Sequence, residues 1–283
     1  MPEIQRDLHL AGALTFGLTV LIFLAAAFWG ERRRALSTVG LLGIVAALAM
    51  VGGVFGIRWI DQGQFPLQSR YETFLMVLLG LGIGSLLFAA RAGLPAAADS
   101  RGGFCNAVCA AGGGLGLLFG LLALREDFEP LYRPPALRSI WMTIHVPCLI
   151  ISYGFLYVGV AAALVTVAPF LRSALRLGGT AAQWDEVLHM AMSIGFPFLT
   201  AGLFMGAVWG QEAWATYWGW DIKETWAFIT WMSFLVYFHM RFVPGLRGLA
   251  SGWVVVVGGF SIGLTWLCMH LLPESLSSLH VYN

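Results

Sequence analysis

Eight stretches of this chain are each long and apolar enough to cross a lipid bilayer, and nothing else in the sequence restricts the fold as tightly. They run roughly over 10–29, 39–57, 73–90, 104–124, 142–169, 187–208, 225–243 and 252–272. A helix needs about 20 apolar residues to span the hydrocarbon core. Backbone in lipid must satisfy its own hydrogen bonds, so these runs should be helices packed as one bundle. Composition agrees: 59% of the 283 residues are hydrophobic and 11% are charged, whereas a soluble domain carries about 25% charge. The sequence therefore predicts an all-α integral membrane protein, a single polytopic domain over 1–283 with about eight transmembrane helices. No internal repeat, low-complexity tract or long linker interrupts it, and no nucleic-acid partner is expected.

The placement of charge orients the bundle. Arg32, Arg33 and Arg34 follow the first apolar run, and the segment before it is close to neutral. A cleavable secretory signal has the reverse order, so the first span is expected to stay. The arginine cluster holds the first connection in the cytoplasm and leaves the N-terminus outside. Alternating sides from there, the inner connections carry nine cations and four acids, the outer segments seven cations and eleven acids. That asymmetry favours eight spans with both termini on the outer side. Cys105, Cys109, Cys148 and Cys268 lie in or beside spans, in no C-x-x-C pattern, and read as small buried apolar residues. The glycine clusters "GLGIG" (80–84) and "GGGLGLLFG" (112–120) read as sites of close helix packing.

Between Trp209 and Trp231 the chain reads "WGQEAWATYWGWDIKETWAFITW", which holds six of its twelve tryptophans. The span order places its first part on the outer face. An interfacial aromatic belt explains single tryptophans at helix ends, such as Trp29, Trp59, Trp141 and Trp253. It explains poorly six in one segment, set among Gln211, Glu212, Asp221, Lys223 and Glu224. The alternative is a platform for a large flat ligand, with a few polar groups fixing its orientation. Trp214 and Trp218 are four residues apart beside Tyr217, so one helical face would present them together. A planar apolar ligand with an anionic edge suits such a surface, with Lys223 near that edge. Haem has this shape, and histidine commonly holds its iron. His145 and His280 both fall on the outer side, although His9 and His270 are also near that face. His239 lies at depth in the cytoplasmic third of the seventh span, where an ionisable residue is a functional candidate, and His189 reads as an anchor at the inner interface.

The pattern W-G-x-x-x-W-x-x-Y-W-x-W-D-x-K-E-T-W resembles the tryptophan-rich WWD signature of haem-handling proteins in cytochrome c biogenesis. More narrowly, it resembles the CcsA/ResC type of System II. "FPLQSRYETFL" (65–75), "PPALRSIWMTIHV" (134–146) and "LHVY" (279–282) resemble three further motifs of that type, so the resemblance runs over 65–283, with 209–226 as the WWD segment. "KETW" at 223–226 separates it from the System I relatives. Three departures stand out: Ile222 where the family nearly always has Pro, Phe238 for a usual Leu, and a less glycine-rich approach to His280.

The resemblance implies a function: haem handling and covalent attachment of haem to apocytochrome c on the outer face. It implies haem b as bound substrate, with His145 and His280 as axial ligands of an external haem and His239 as a transmembrane iron ligand. Trp209, Trp214, Trp218, Trp220, Asp221, Lys223 and Trp226 would line the haem, and Lys223 and Arg138 are candidates for its propionates. No catalytic residue is expected beyond those that position haem. Asp221 and Glu224 would otherwise order the loop. The expected partners are a ResB/CcsB-type membrane subunit, with which the chain would have cytochrome c haem lyase activity, and the C-x-x-C-H segment of an apocytochrome c. The expected location is the bacterial cytoplasmic membrane, with its working face periplasmic, or a thylakoid membrane. Two other readings use the same residues: a haem exporter or chaperone that leaves attachment to another protein, and a b-type electron-transfer subunit.

Overall fold

The computed structural model describes residues 2–29, 31–67, 69–95, 100–127, 139–174 and 180–266, and they form helices joined by short turns. In order these are α1 (Pro2–Phe28), α2 (Arg33–Gln62), α3 (Arg70–Arg91), α4 (Ser100–Ala123), α5 (Ile140–Val167), the short α6 (Pro169–Ala174), α7 (Ala181–Trp214), α8 (Ile222–Met240) and α9 (Leu249–Trp266). A 3-10 turn, Pro244–Leu246, joins α8 to α9. Six of the helices, α1 to α5 and α7, are long and apolar enough to cross a membrane. The 19 residues of α8 include Lys223 and Glu224 in its first turn. The described part of α9 is 18 residues, and the rest of the eighth expected span lies outside the described residues.

Glycine sets which helices touch. With no hydrophobic drive between helices in lipid, close backbone approach and van der Waals packing hold the bundle. A Cβ on Gly154 of α5 would lie 2.7 Å from the Gly80 carbonyl oxygen of α3, so these two helices meet backbone to backbone. On α4, Cβ atoms at Gly116 and Gly120 would strike Phe16 and Ala13 of α1. Both glycine clusters therefore pack helices, as their sequence predicts. Of the cysteines, Cys105 and Cys109 are buried, Cys148 is partly exposed, and none of the three is in a disulfide; Cys268 lies outside the described residues.

The tightest pair is α5 with α7, which run antiparallel with a polar ladder between them. Ser152 Oγ donates to the Gly195 carbonyl at 2.8 Å, Cys148 Sγ to that of Phe198 at 3.3 Å, and His145 Nδ1 to that of Gly202 at 2.6 Å. Residues falling along α5 thus meet residues rising along α7. Cβ atoms at Gly195, Gly202 and Gly206 would collide with Leu156, Leu149 and His145, so this glycine face admits the ladder.

At the end of the bundle where α1 and α3 begin, a buried polar network ties four helices. Arg58 and Glu72 form an ion pair at 3.0 Å with both side chains almost wholly enclosed. Gln62 also donates to Glu72, and Gln5 of α1 accepts from Arg58. Beside them Tyr71 OH lies 3.2 Å from His9 Nδ1, and His9 Nε2 lies 2.9 Å from the Gly120 carbonyl oxygen. A carbonyl only accepts, so Nε2 carries the proton and Nδ1 accepts from Tyr71. Glu72 also closes a capping box with Ser69 at the start of α3. The Tyr71–Glu72 pair of the 65–75 motif is therefore a structural clamp. The same end of the bundle holds the start of α5 and the turn from α7 to α8, and with it most of the candidate site.

Candidate functional site

The turn that carries the tryptophan segment is built by its own acids. Helix α7 stops at Trp214, because Ala215 adopts a left-handed φ of 59° and its N–H bonds to the Gln211 carbonyl. Trp220 is left-handed too, at φ 58°. Left-handed backbone at a non-glycine residue costs of order 1–3 kcal/mol and needs its surroundings to enforce it. Glu224 does so: its Oε2 accepts from Gly219 N–H at 2.7 Å and Asp221 N–H at 3.4 Å, while Asp221 Oδ1 accepts from Glu224 N–H at 2.8 Å. Asp221 is the N-cap of α8 in a full capping box. Ile222 then stands at the first helical position, where proline is favoured because its missing N–H is unused there. Its substitution for Pro loosens a preference and removes no hydrogen bond.

One expectation fails here. Trp214 and Trp218 do not share a helical face, since the helix ends at Trp214 and Trp218 lies in the turn. The tryptophans fall instead into two runs of packed rings. In the first, Trp209 is almost fully buried and meets Trp214 edge to face at 4.7 Å. In the second, Trp218 packs against Trp220 at 5.9 Å and Phe228 at 6.4 Å, and Trp220 is 64% exposed. Trp226 sits half-buried just past the first turn of α8.

His145 belongs to the first run. Its ring stacks on Trp209, with centroids 6.1 Å apart and planes 18° apart. Nδ1 donates to the Gly202 carbonyl, which puts the ring's lone pair on Nε2, the atom that would bind a metal. Gly206 makes the room: a Cβ there would lie 2.5 Å from His145 Cε1. The start of α5 is held by Ser139, which caps Trp141 N–H at 3.1 Å and donates to Glu212 on α7. Gly202 and Gly206, four residues apart, form the face that seats His145, and that spacing is the signal in the sequence that marks it.

The second run continues along the seam between α7 and α8. Phe228 stacks on Trp231 at 6.1 Å, Trp231 on Phe196 at 6.0 Å, and Phe196 meets Phe238 at 5.1 Å. Trp231 Nε1 donates to Thr200 at 3.0 Å and fixes the middle of this series. At its far end Phe238 meets His189, whose Nδ1 also lies 3.4 Å from Tyr237 OH. Asp185 and Arg241 form an ion pair at that same end.

His239 is at the opposite end of the bundle from His145. It is exposed, its Nδ1 donates to the Leu235 carbonyl at 2.8 Å, and it lines an open apolar groove of about 380 Å³ with Met232, Val236 and Val243. His189 contacts Tyr237 and Phe238, neither of which lines that groove, so the two histidines do not share it. The structure thus brings His145 to the tryptophan segment and keeps His239 apart from it. His280, His270 and Arg138 lie outside the described residues.

Two polar groups of the segment bear on ligand chemistry. The Trp218 indole nitrogen is buried and has no acceptor among the described residues. Lys223 is half-buried ahead of the apolar run 225–243, and this desolvation lowers its pKa from the usual 10.5, with the Asp221 carboxylate pulling the other way. A buried donor, a desolvated cation, aromatic faces and an imidazole Nε2 suit a flat, anionic, metal-bearing ligand.

Comparison with known proteins gives the chain its kin. The family model described as "Cytochrome C assembly protein" matches residues 8–277, which takes in α1 and α2. The cytochrome c biogenesis protein CcsA of Synechococcus sp. (strain RCC307) is 32% identical, over 98% of this chain and 97% of its own length. CcsA of Parasynechococcus marenigrum (strain WH8102) is 30% identical over 95% and 96%. CcsA of Chlamydomonas reinhardtii is 32% identical over 80% of this chain and 64% of its own. A membrane bundle matched along almost its whole length in this way belongs to the cytochrome c assembly family, among the CcsA-type cytochrome c biogenesis proteins.

Proposed function

We propose that this chain receives haem b as a substrate and holds it at the tryptophan end of the bundle for covalent attachment to an apocytochrome c. The observation that carries this is His145, seated on Trp209 with its lone pair on Nε2. His145 supplies one axial nitrogen and His280 the other. His239, beside its groove at the opposite end, ligates haem at an earlier station, and a ResB/CcsB-type subunit supplies the second ligand there. The tryptophan segment faces the periplasm of a bacterial cytoplasmic membrane, or the lumen of a thylakoid, as the outer excess of acids favours.

In attachment, each cysteine thiol of a C-x-x-C-H segment adds across a haem vinyl: sulfur bonds to one vinyl carbon, hydrogen to the other, and a thioether results. The chain's contribution is orientation. His145 fixes the iron and the aromatic faces fix the ring plane, which converts an encounter into a positioned reaction. Asp221 and Glu224 take no proton in this scheme, because both carboxylates hold the turn. A b-type electron-transfer subunit is the weaker reading, since His189 and His239, on neighbouring helices, face different sides of α8.

The test is an absorption spectrum of the chain purified with a ResB/CcsB-type partner, alongside His145→Ala, His280→Ala and His239→Ala. A six-coordinate low-spin haem that either outer substitution alters, with loss of cytochrome maturation, supports the external site. An unchanged spectrum and intact maturation in both outer variants sink it. Haem retained with no thioether formed would select the exporter reading.

A further inference from the structure

We propose that the Trp218 indole N–H is a hydrogen-bond donor to a carboxylate of the bound ligand, so that the tryptophan turn reads the ligand's acidic edge as well as its flat face. The inference rests on the haem reading above, and names the group by which that site knows its substrate. Its basis is a donor without an acceptor. Trp218 Nε1 is shut off from solvent and has no partner among the described residues, and a buried unsatisfied donor costs free energy that folded chains seldom leave standing. The acids of the segment are all engaged elsewhere. Asp221 caps α8, Glu224 holds the Gly219 and Asp221 amides, and Glu212 accepts from Ser139. By contrast, Trp231 shows what the fold does with a buried indole it means to satisfy, placing Thr200 Oγ1 at 3.0 Å.

The surroundings fit an entering anion. Trp220 packs edge to face on Trp218 and is 64% exposed, so the neighbour that covers the indole itself borders solvent. Lys223 adds a positive charge five residues on, in the first turn of α8. A neutral edge gains nothing from any of these groups.

The experiment compares iron protoporphyrin IX with its dimethyl ester, which keeps ring, iron and vinyl groups and removes both acids. Affinity for the full chain with its partner is read by absorption titration, for wild type and for Trp218→Phe, which keeps a ring and deletes the N–H. The expected result is a loss of about tenfold on the diacid in Trp218→Phe, the worth of one charge-assisted hydrogen bond, and no loss on the diester. Equal losses on both ligands, or none on either, overturn the proposal and leave the haem reading intact. Failure of wild type to bind either porphyrin overturns both. Should Trp218→Phe not fold, wild type alone decides: the ultraviolet Raman band that reports indole hydrogen bonding shifts with the diacid and not with the diester. Its failure to do so overturns the proposal.

Discussion

At the scale of single residues, the tryptophan motif divides into groups that build the turn and groups that the haem reading assigns to the ligand. Asp221 and Glu224 belong to the first, as their capping box shows. Asp221→Ala should then cost about 0.5–2 kcal/mol of stability, and Asp221→Ser, which caps as well, should recover most of it. Thermal unfolding in detergent checks this, and a Ser variant as damaged as the Ala variant would return Asp221 to ligand binding. The haem reading puts Lys223 in the second group, and its titration carries a sign. Desolvation lowers its pKa, so the ammonium loses its proton below the ordinary lysine value of 10.5. Affinity for a haem diacid should fall as pH rises through that lowered pKa. Lys223→Arg stays charged there and should flatten the profile, and a profile unchanged by Lys223→Met would take the residue out of the site. Histidine tautomers were beyond sequence reading. Nothing near His145 in the chain announces that the Gly202 carbonyl, on another helix, accepts from its Nδ1–H and so puts the ring's lone pair on Nε2.

Among helices, the apolar runs and the glycine clusters were legible because each is a local property of the chain. Partner choice was not, and it is where the packing energy lies. Gly154 is tight only because Gly80 of α3 lies against it, a contact between distant parts of the chain. Gly154→Ala should lower stability by about 1–3 kcal/mol, since the added carbon meets backbone that cannot swing aside. Gly114→Ala on α4 is the control: nothing lies within 4 Å of its Cβ, so it should be neutral or slightly stabilising. Equal unfolding temperatures for the two variants would contradict the close contact of α3 and α5. The end of α7 was misread for a related reason. Ala215 turns left-handed with neither Gly nor Asn to signal it, and Glu224, nine residues on, helps hold the turn that follows. Arg58 was hidden too: no motif in the sequence marks it, yet it is paired and enclosed with Glu72. Removing one partner of such a buried pair costs about 3–5 kcal/mol. Glu72→Gln should therefore destabilise far more than Glu126→Gln, whose partner Arg70 is largely exposed; denaturation of the two variants side by side measures the difference.

Across the whole molecule, the proposed function depends on having two unlike ends. One end gathers the start of α5, the buried Arg58–Glu72 network and the tryptophan turn; the other holds His239, its groove and the Asp185–Arg241 pair. The charge asymmetry of the connections favours the first end as outer. A substrate made inside and used outside needs a station at each, and the positions of His239 and His145 suit that division. The orientation is testable without any haem. Tyr217 is exposed in the tryptophan turn, and Gly245 is exposed between α8 and α9 with open space where a side chain would start. Tyr217→Cys should react with a membrane-impermeant maleimide added to intact cells, whereas Gly245→Cys should react only after the membrane is opened, with the wild-type chain as the blank. The reverse pattern would put the tryptophan turn in the cytoplasm. His145 would then meet haem on the side where it is made, and a role in attachment on the outer face would have to be abandoned.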